Sequence, residues 1–161
     1  TGKIKKDNDF KNVEKLIKII SEIRSFKNEI NVSPGSFIDI SLNKISLKNS
    51  KFFKNNENAL KKLGRINNFF DKEIDKQAAS LVINGDLFKL YFEEDVDLKI
   101  IKLNLIKKQE KYINEINGIN ARLKNKKFLD RAPKHIVEHE KTNYNNLKID
   151  IDKISLIIKN L

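Results

Sequence analysis

The sequence predicts an α+β fold: a small three-stranded sheet with covering helices, followed by a long antiparallel two-helix coiled-coil hairpin. Three observations predict it. Apolar residues from Val137 to Leu161 recur at alternating steps of three and four, the spacing of a helical seam. Asn84-Gly85, a dipeptide that accepts positive φ in a two-residue turn, joins two segments of strand-forming residues. Phe10 to Asn28 repeats its apolar residues at helical intervals.

In chain order, the first helix places Phe10, Val13, Leu16, Ile17, Ile20 and Ile23 on one face and ends before the turn signal Ser33-Pro34-Gly35. Phe37 to Asn43 alternates Ile38, Ile40 and Leu42 with Asp39, Ser41 and Asn43, as a half-buried strand does. A second helix is predicted over Lys51 to Leu63, using Phe53, Leu60 and Leu63. Ser80 to Asn84 and Leu87 to Phe92 form a hairpin. Glu93-Glu94-Asp95 closes this body and is expected at the start of the next helix, where the macrodipole favours negative charge. The expected division is 1–95 for the α+β domain and 96–161 for the coiled coil.

The first arm carries its seam on Leu98, Lys102, Leu105, Gln109, Tyr112, Ile116, Ile119 and Leu123, with two polar interruptions. The second uses Val137, Glu140, Tyr144, Leu147, Ile151, Ile154, Ile158 and Leu161, broken only at Glu140. Pro133, which cannot sit inside a helix but suits the start of a new one, marks the reversal. At about 1.5 Å per residue, arms of about 25 residues reach on the order of 40 Å. The base, Val96 to Ile106, is apolar nearly all round and is expected to dock on the body, with the distal half free.

With 161 residues, 39% hydrophobic and 34% charged, the chain suits a small domain plus an extension. No apolar run approaches the ~18 residues that would span a bilayer, and no signal peptide is visible. Cysteine is absent, which excludes disulfides and thiolate metal sites and fits a cytoplasmic protein. Methionine is absent too, and a chain opening Thr1-Gly2-Lys3 is expected to be a piece of a longer polypeptide. The formal net charge is +11 and the pI about 9.7, which points to a polyanionic partner. Asp97 to Leu161 holds 15 Lys+Arg against 8 Asp+Glu, the larger share of the excess. Lysine, isoleucine and asparagine are all over-used while arginine occurs four times, so an AT-rich coding composition is the competing source of basicity.

His135-Ile136-Val137-Glu138-His139 has the histidine spacing of inverted zinc peptidases. A catalytic zinc needs a third protein ligand and a closed cleft, and both histidines point away from the seam, so a solvated face is expected. The glycines are isolated and form no phosphate-cradling loop, and no Ser/His/Asp constellation exists. No catalytic residue, metal site or small-molecule site is assigned. The functional candidates are basic: Lys124, Lys126, Lys127, Arg131 and Lys134 at the tip, and Lys107, Lys108, Lys111, Arg122, Lys141 and Lys148 along the outer faces. Such side chains grip phosphates. Phe128 is expected to plug the end of the seam, and Tyr112 and Tyr144 to lie within it.

Ile23-Arg24-Ser25-Phe26-Lys27-Asn28-Glu29-Ile30-Asn31-Val32-Ser33-Pro34-Gly35 resembles the I-R-x-x-R-x-E-x-N-x-x-P-G segment near the end of the anticodon-binding region of bacterial valyl-tRNA synthetases. Leu123, Asn125, Phe128, Ala132-Pro133, Val137 and Glu140 are similar to the coiled-coil tip of the same enzymes, and the resemblance covers essentially the whole chain. It implies a class I synthetase that joins valine to its tRNA with ATP, represented here by the part whose arm rests on the outer corner of the tRNA. It implies tRNA as partner, a monomer, and no cofactor in this part of the enzyme, whose nucleotide-binding and editing domains have no counterpart here. Lys27 stands where the family usually has arginine, which puts any bidentate contact there in doubt. The alternative is a non-enzymatic coiled-coil protein-interaction module whose basicity is compositional.

Overall fold

The computed structural model describes residues 2–161, with side-chain surroundings from residue 8 onward except at Leu47; Thr1 lies outside it. Its elements are α1 (Gly2–Glu29), β1 (Ile38–Ser41), α2 (Leu47–Asn55), α3 (Glu57–Gly64), β2 (Ile66–Phe70), β3 (Ala78–Ile83), β4 (Asp86–Phe92), α4 (Leu98–Lys124), α5 (Lys126–Arg131) and α6 (Lys134–Asn160). The chain divides into two units, Thr1–Leu98 and Lys99–Leu161.

In the first unit the fold is α+β as expected, but the sheet has a fourth strand, in the order β2-β1-β4-β3. β1 pairs antiparallel with β4 and parallel with β2, the parallel pair being joined by α2 and α3. β2 was not placed from sequence because its middle is Asn67-Asn68, residues that disfavour strands. They occupy a bulge: Ile38 faces Ile66 and Ile40 faces Phe69, one residue more on β2. Asp39 Oδ1 accepts from both the backbone N–H and the side-chain amide of Asn68 at 3.0 Å, which satisfies the bulged segment. The β3–β4 hairpin turns at Asn84 (φ 52°) and Gly85 (φ 84°), the double positive φ of a type I′ turn.

The predicted second helix is two. Asn56 leaves helical geometry (φ −115°, ψ 18°) and ends α2 while starting α3; its side chain donates to Phe52 O at 2.8 Å. The face predicted for α1 is also divided. Of its residues, Ile20 and Ile23 are buried and Leu16 half-buried, but Phe10, Val13 and Ile17 are exposed at 64%, 52% and 60%, because α1 meets α3 and β3 only over part of its length.

The helix ends in this unit are closed by specific donors. At the end of α1, Asn31 takes φ 59°, Val32 N–H bonds Lys27 O at 2.8 Å and Asn31 N–H bonds Asn28 O at 3.0 Å, the paired closure of a Schellman motif. At the end of α3, Arg24 Nη2 donates to Leu63 O at 2.9 Å, and Lys27 Nζ donates to Ser36 O at 2.6 Å and Gly64 O at 3.5 Å. Gly64 is required by packing, since a Cβ there would lie 3.0 Å from Ile66 Cδ1. Lys27 is 0% exposed. Burial pushes its ammonium down from 10.5 to about 8, helped by the charges of Arg24 and Arg65 and opposed by Glu93.

In the second unit α4 and α6 form the hairpin. Every predicted seam position from Leu98 to Leu123 and from Val137 to Leu161 is buried or half-buried. Leu105, Ile119 and Ile154 are buried at 8%, 3% and 7%. Both polar seam residues that have partners bond across the helices. Gln109 Nε2 donates to Ser155 Oγ at 2.5 Å and to Ile151 O at 3.4 Å. Arg122 donates to Glu140 Oε2 through Nη2 at 2.8 Å and Nε at 3.1 Å. From Gln109 to Arg122 is 13 residues along α4, and from Ser155 or Ile151 to Glu140 is 15 or 11 back along α6, so both pairs fit one antiparallel register. One expectation is corrected. The acidic step Glu93-Glu94-Asp95 lies in a turn closed by Val96 N–H to Glu93 O at 3.0 Å, and the first turn of α4 has no carboxylate. In the reversal, the short α5 is capped by Asn125 Oδ1, which accepts from Lys127 N–H at 3.0 Å and Phe128 N–H at 3.4 Å.

Two sets of outcomes are expected. Between pH 8 and 10.5 the unfolded chain keeps a proton on Lys27 that the folded chain has released, so this residue makes stability rise with pH across that window. Urea titrations at pH 7.5 and pH 10 should show wild type gaining on Lys27→Met; parallel curves would contradict the buried charge. In the hairpin, a Cβ at Gly118 meets only Arg122 Nη1, at 3.8 Å, so Gly118→Ala should stabilise the arm by about 0.5–1 kcal/mol. Ile119→Asp should cost several kcal/mol and visibly reduce helical circular dichroism.

Candidate nucleic-acid interface

An exposed basic surface on a helical hairpin follows from its seam. With the apolar positions facing inward, the remaining positions of each heptad carry the polar residues. All eleven basic candidates are exposed. Five of them, Lys124, Lys126, Lys127, Arg131 and Lys134, occupy the end of α4, the two ends of α5 and the first residue of α6. The reversal thus brings the tip set together, whereas Lys107, Lys108, Lys111, Lys141 and Lys148 are spread along the helices.

The electrostatics of the tip are one-sided. Within residues 124–134 the only carboxylate is Asp130. Lys134 stands in the first turn of α6, which has no acidic residue, and Pro133 before it makes no side-chain cap. A cation at a helix N-terminus opposes the macrodipole by about 0.3–1 kcal/mol, so this placement does not serve the helix. Phe128 is half-buried and its carbonyl accepts from Ala132 N–H at 2.8 Å, which closes the short helix.

Arg122 differs from the others. It was expected on the outer face, but its guanidinium reaches across the hairpin to Glu140, the one break in the second seam. Lys141 pairs with Glu138 at 3.6 Å on the surface, an interaction of small worth. Lys108 Nζ lies 5.6 Å from the Tyr112 ring. No carboxylate among the described residues pairs with the other nine candidates. His135 and His139 are exposed, and no group of three or more His, Cys, Asp or Glu among the described residues is placed to hold a metal. Among the described residues no helix is long and apolar enough to cross a membrane.

The segment around Arg24 and Lys27, the other half of the sequence resemblance, is architectural. Ile23 is core, Arg24 and Lys27 close the end of α3, and Asn31 closes α1. Sequence reasoning treated Lys27 as a possible contact, and nothing in residue type alone says that a lysine will be interior. A second basic region was missed: Lys11, Lys15, Lys48 and Lys51 lie along an open groove between α1 and α2. Their helical spacing was visible, but the approach of the two helices was not.

Residues 95–161 match the family described as the valyl tRNA synthetase tRNA binding arm. Over its full 161 residues the chain is 58% identical to the valine–tRNA ligase of Pelagibacter ubique, covering 18% of that protein. It is 34% identical over 147 residues to the valine–tRNA ligase of Borrelia garinii, aligning 88% of this chain with 16% of the relative. With that of Aquifex aeolicus it shares 28% over 154 residues, 95% of this chain and 13% of the relative. The chain therefore spans less than a fifth of the length of these relatives. Residues 95–161 thus belong to the tRNA-binding-arm family of valyl-tRNA synthetases, and the whole chain is similar to part of valine–tRNA ligases.

Proposed function

We propose that this chain serves a ligase that attaches valine to its tRNA using ATP, and that its hairpin holds the tRNA by the outer corner. The observation that carries this is the tip: five basic residues against one carboxylate, at the end of an arm matched to a tRNA-binding family. Phosphate oxygens are the natural partners of such a cluster, and they position an RNA without reading its bases. In this reading Lys124, Lys126, Lys127, Arg131 and Lys134 make the main contacts. Lys107, Lys108, Lys111, Lys141 and Lys148 extend the field along the arm, and Arg122 contributes from its bridge to Glu140. Residues 1–95 form the supporting domain and 96–161 the arm. The chain acts as a cytoplasmic monomer, takes no cofactor or small molecule itself, and leaves ATP to the rest of the ligase.

The fragment is expected to bind several tRNAs with similar affinity, because the corner's backbone shape is common to them and lies far from the anticodon. Neutralising about four phosphates gives a slope near −3 in log affinity against log salt, taking the lower, single-strand coefficient. Replacing Lys124, Lys126, Lys127 and Arg131 with glutamine should flatten that slope and leave circular dichroism unchanged. Binding confined to valine tRNA with an intact anticodon, or an unaltered slope in the mutant, would remove the tip from RNA recognition. Unaltered tRNA affinity combined with retention of a protein partner would favour an adaptor. Valine-dependent ATP–pyrophosphate exchange should be absent from the purified fragment, and its appearance would contradict the division of labour.

A further inference from the structure

Between α1 and α2 lies an open groove of about 660 Å³. Lys11 and Lys15 line it from α1, and Lys48 and Lys51 from α2, with Asn12 and Asn55 beside them. Spacings of four and three residues put each lysine pair on one helix face, so the groove has two facing cationic walls. No carboxylate is among its lining residues.

The carboxylate that acts on this cluster, Asp86, is already engaged. Lys15 Nζ donates to Asn49 Oδ1, and Asn49 Nδ2 donates to Asp86 Oδ2. Asp86 also accepts from the N–H and hydroxyl of Ser46 at 3.2 and 3.4 Å, at the start of α2. Lys15 Nζ sits 4.5 Å from the centre of the Phe52 ring. Burial and the charge of Lys48 hold its ammonium below the usual range, with Asp86 opposing. A cleft lined by one sign of charge focuses its field and concentrates counter-ions of the other sign. The asparagine amides both donate and accept, as phosphodiester oxygens and 2′-hydroxyls require.

We propose that this groove is a second contact for the RNA backbone, in the α+β unit and separate from the arm. It rests on the tRNA-binding reading above but uses none of the arm's residues. At 3.6 residues per turn, Lys11 and Lys15 lie on the opposite face of α1 from the exposed Phe10, Val13 and Ile17. A neighbour covering that apolar stripe leaves the groove open to RNA.

The test uses the whole chain with Lys11→Gln and Lys51→Gln together, both positions being exposed, and leaves Lys15 to hold Asn49. It is run with the arm intact and with the four tip residues changed to glutamine, against a tRNA transcript. Losing two phosphate contacts should make the salt slope shallower by about 1.4 in both backgrounds. Photocross-links should appear in residues 8–15 and 48–55, and the pair Lys11→Arg and Lys51→Arg should restore binding. Slopes unchanged in both backgrounds, with cross-links confined to 95–161, would overturn the groove and leave the arm reading standing. A groove effect with no arm effect would do the reverse. Saturation of the Lys11 and Lys51 amide shifts by millimolar inorganic phosphate, with no response to tRNA, would make this a small-anion site and also overturn the proposal.

Discussion

Two helices packed alone have one line along which they can exclude water, and this constraint governs everything in residues 98–161. The line is filled by large apolar residues, with Leu98, Leu105, Ile119 and Ile154 buried and the other predicted apolar positions half-covered. Such a seam specifies register weakly, because one heptad resembles the next. The polar interruptions supply what the apolar ones lack. Gln109 with Ser155 and Arg122 with Glu140 bond across the helices in one register, and a slip of a heptad would break both pairs and leave the half-buried Gln109 and Glu140 without these partners. The apparent flaws in the pattern are therefore what fixes it.

In the α+β unit, helix ends impose the comparable demand. Two of the carbonyls that end α3, those of Leu63 and Gly64, take side-chain donors. Arg24 supplies one from the surface and Lys27 another from the interior. A lysine is unusual there, since its charge is expensive to bury, and its depressed pKa records that cost. It stays because removing it would leave Ser36 O and Gly64 O without their donor. The segment Ile23–Gly35 thus builds the corner where α1 stops, through Lys27, the αL Asn31 and the turn in which Ser36 N–H bonds Ser33 O at 3.0 Å.

What could be foreseen from sequence follows from these two kinds of order. The seam was legible residue by residue, because periodicity is a property of one helix and needs no knowledge of its partner. So was the Asn84-Gly85 turn, where both residues accept a conformation that others resist. β2 was not, since Asn67-Asn68 denies it strand character and Asp39, 29 residues away, supplies the compensating bonds. At the end of α3 the left-handed residue is Arg65, and the glycine comes one position early, placed for packing against Ile66. The outward turn of Phe10, Val13 and Ile17 was invisible as well, because amphipathicity tells which residues share a face but not how far a neighbour extends along it. For the candidate interface, the cations could be named in advance but not their neighbours: Arg122 looked like any outer cation until Glu140 was seen opposite.

Coding bias towards lysine raises the number of cations everywhere and does not say where they stand. A hairpin shaped only for stability sets Glu and Lys at i,i+4 on its outer faces, each pair contributing a few tenths of a kcal/mol. Residues 101–161 have seven carboxylates with which to do so, yet the ion pairs seen there among the described residues are Arg122–Glu140 across the hairpin and Lys141–Glu138, an i,i+3 pair of 3.6 Å. Around Lys126, Lys127, Arg131 and Lys134 a single Asp130 interrupts the cations, and Lys134 stands at a helix start where the dipole disfavours it. Drift can add lysines without removing their partners, and it has no reason to gather them at a reversal. Lys126, Lys127 and Lys134 stand at helix starts, where their charge costs the free arm some stability. In the tRNA-binding reading proposed above a bound phosphate offsets that cost.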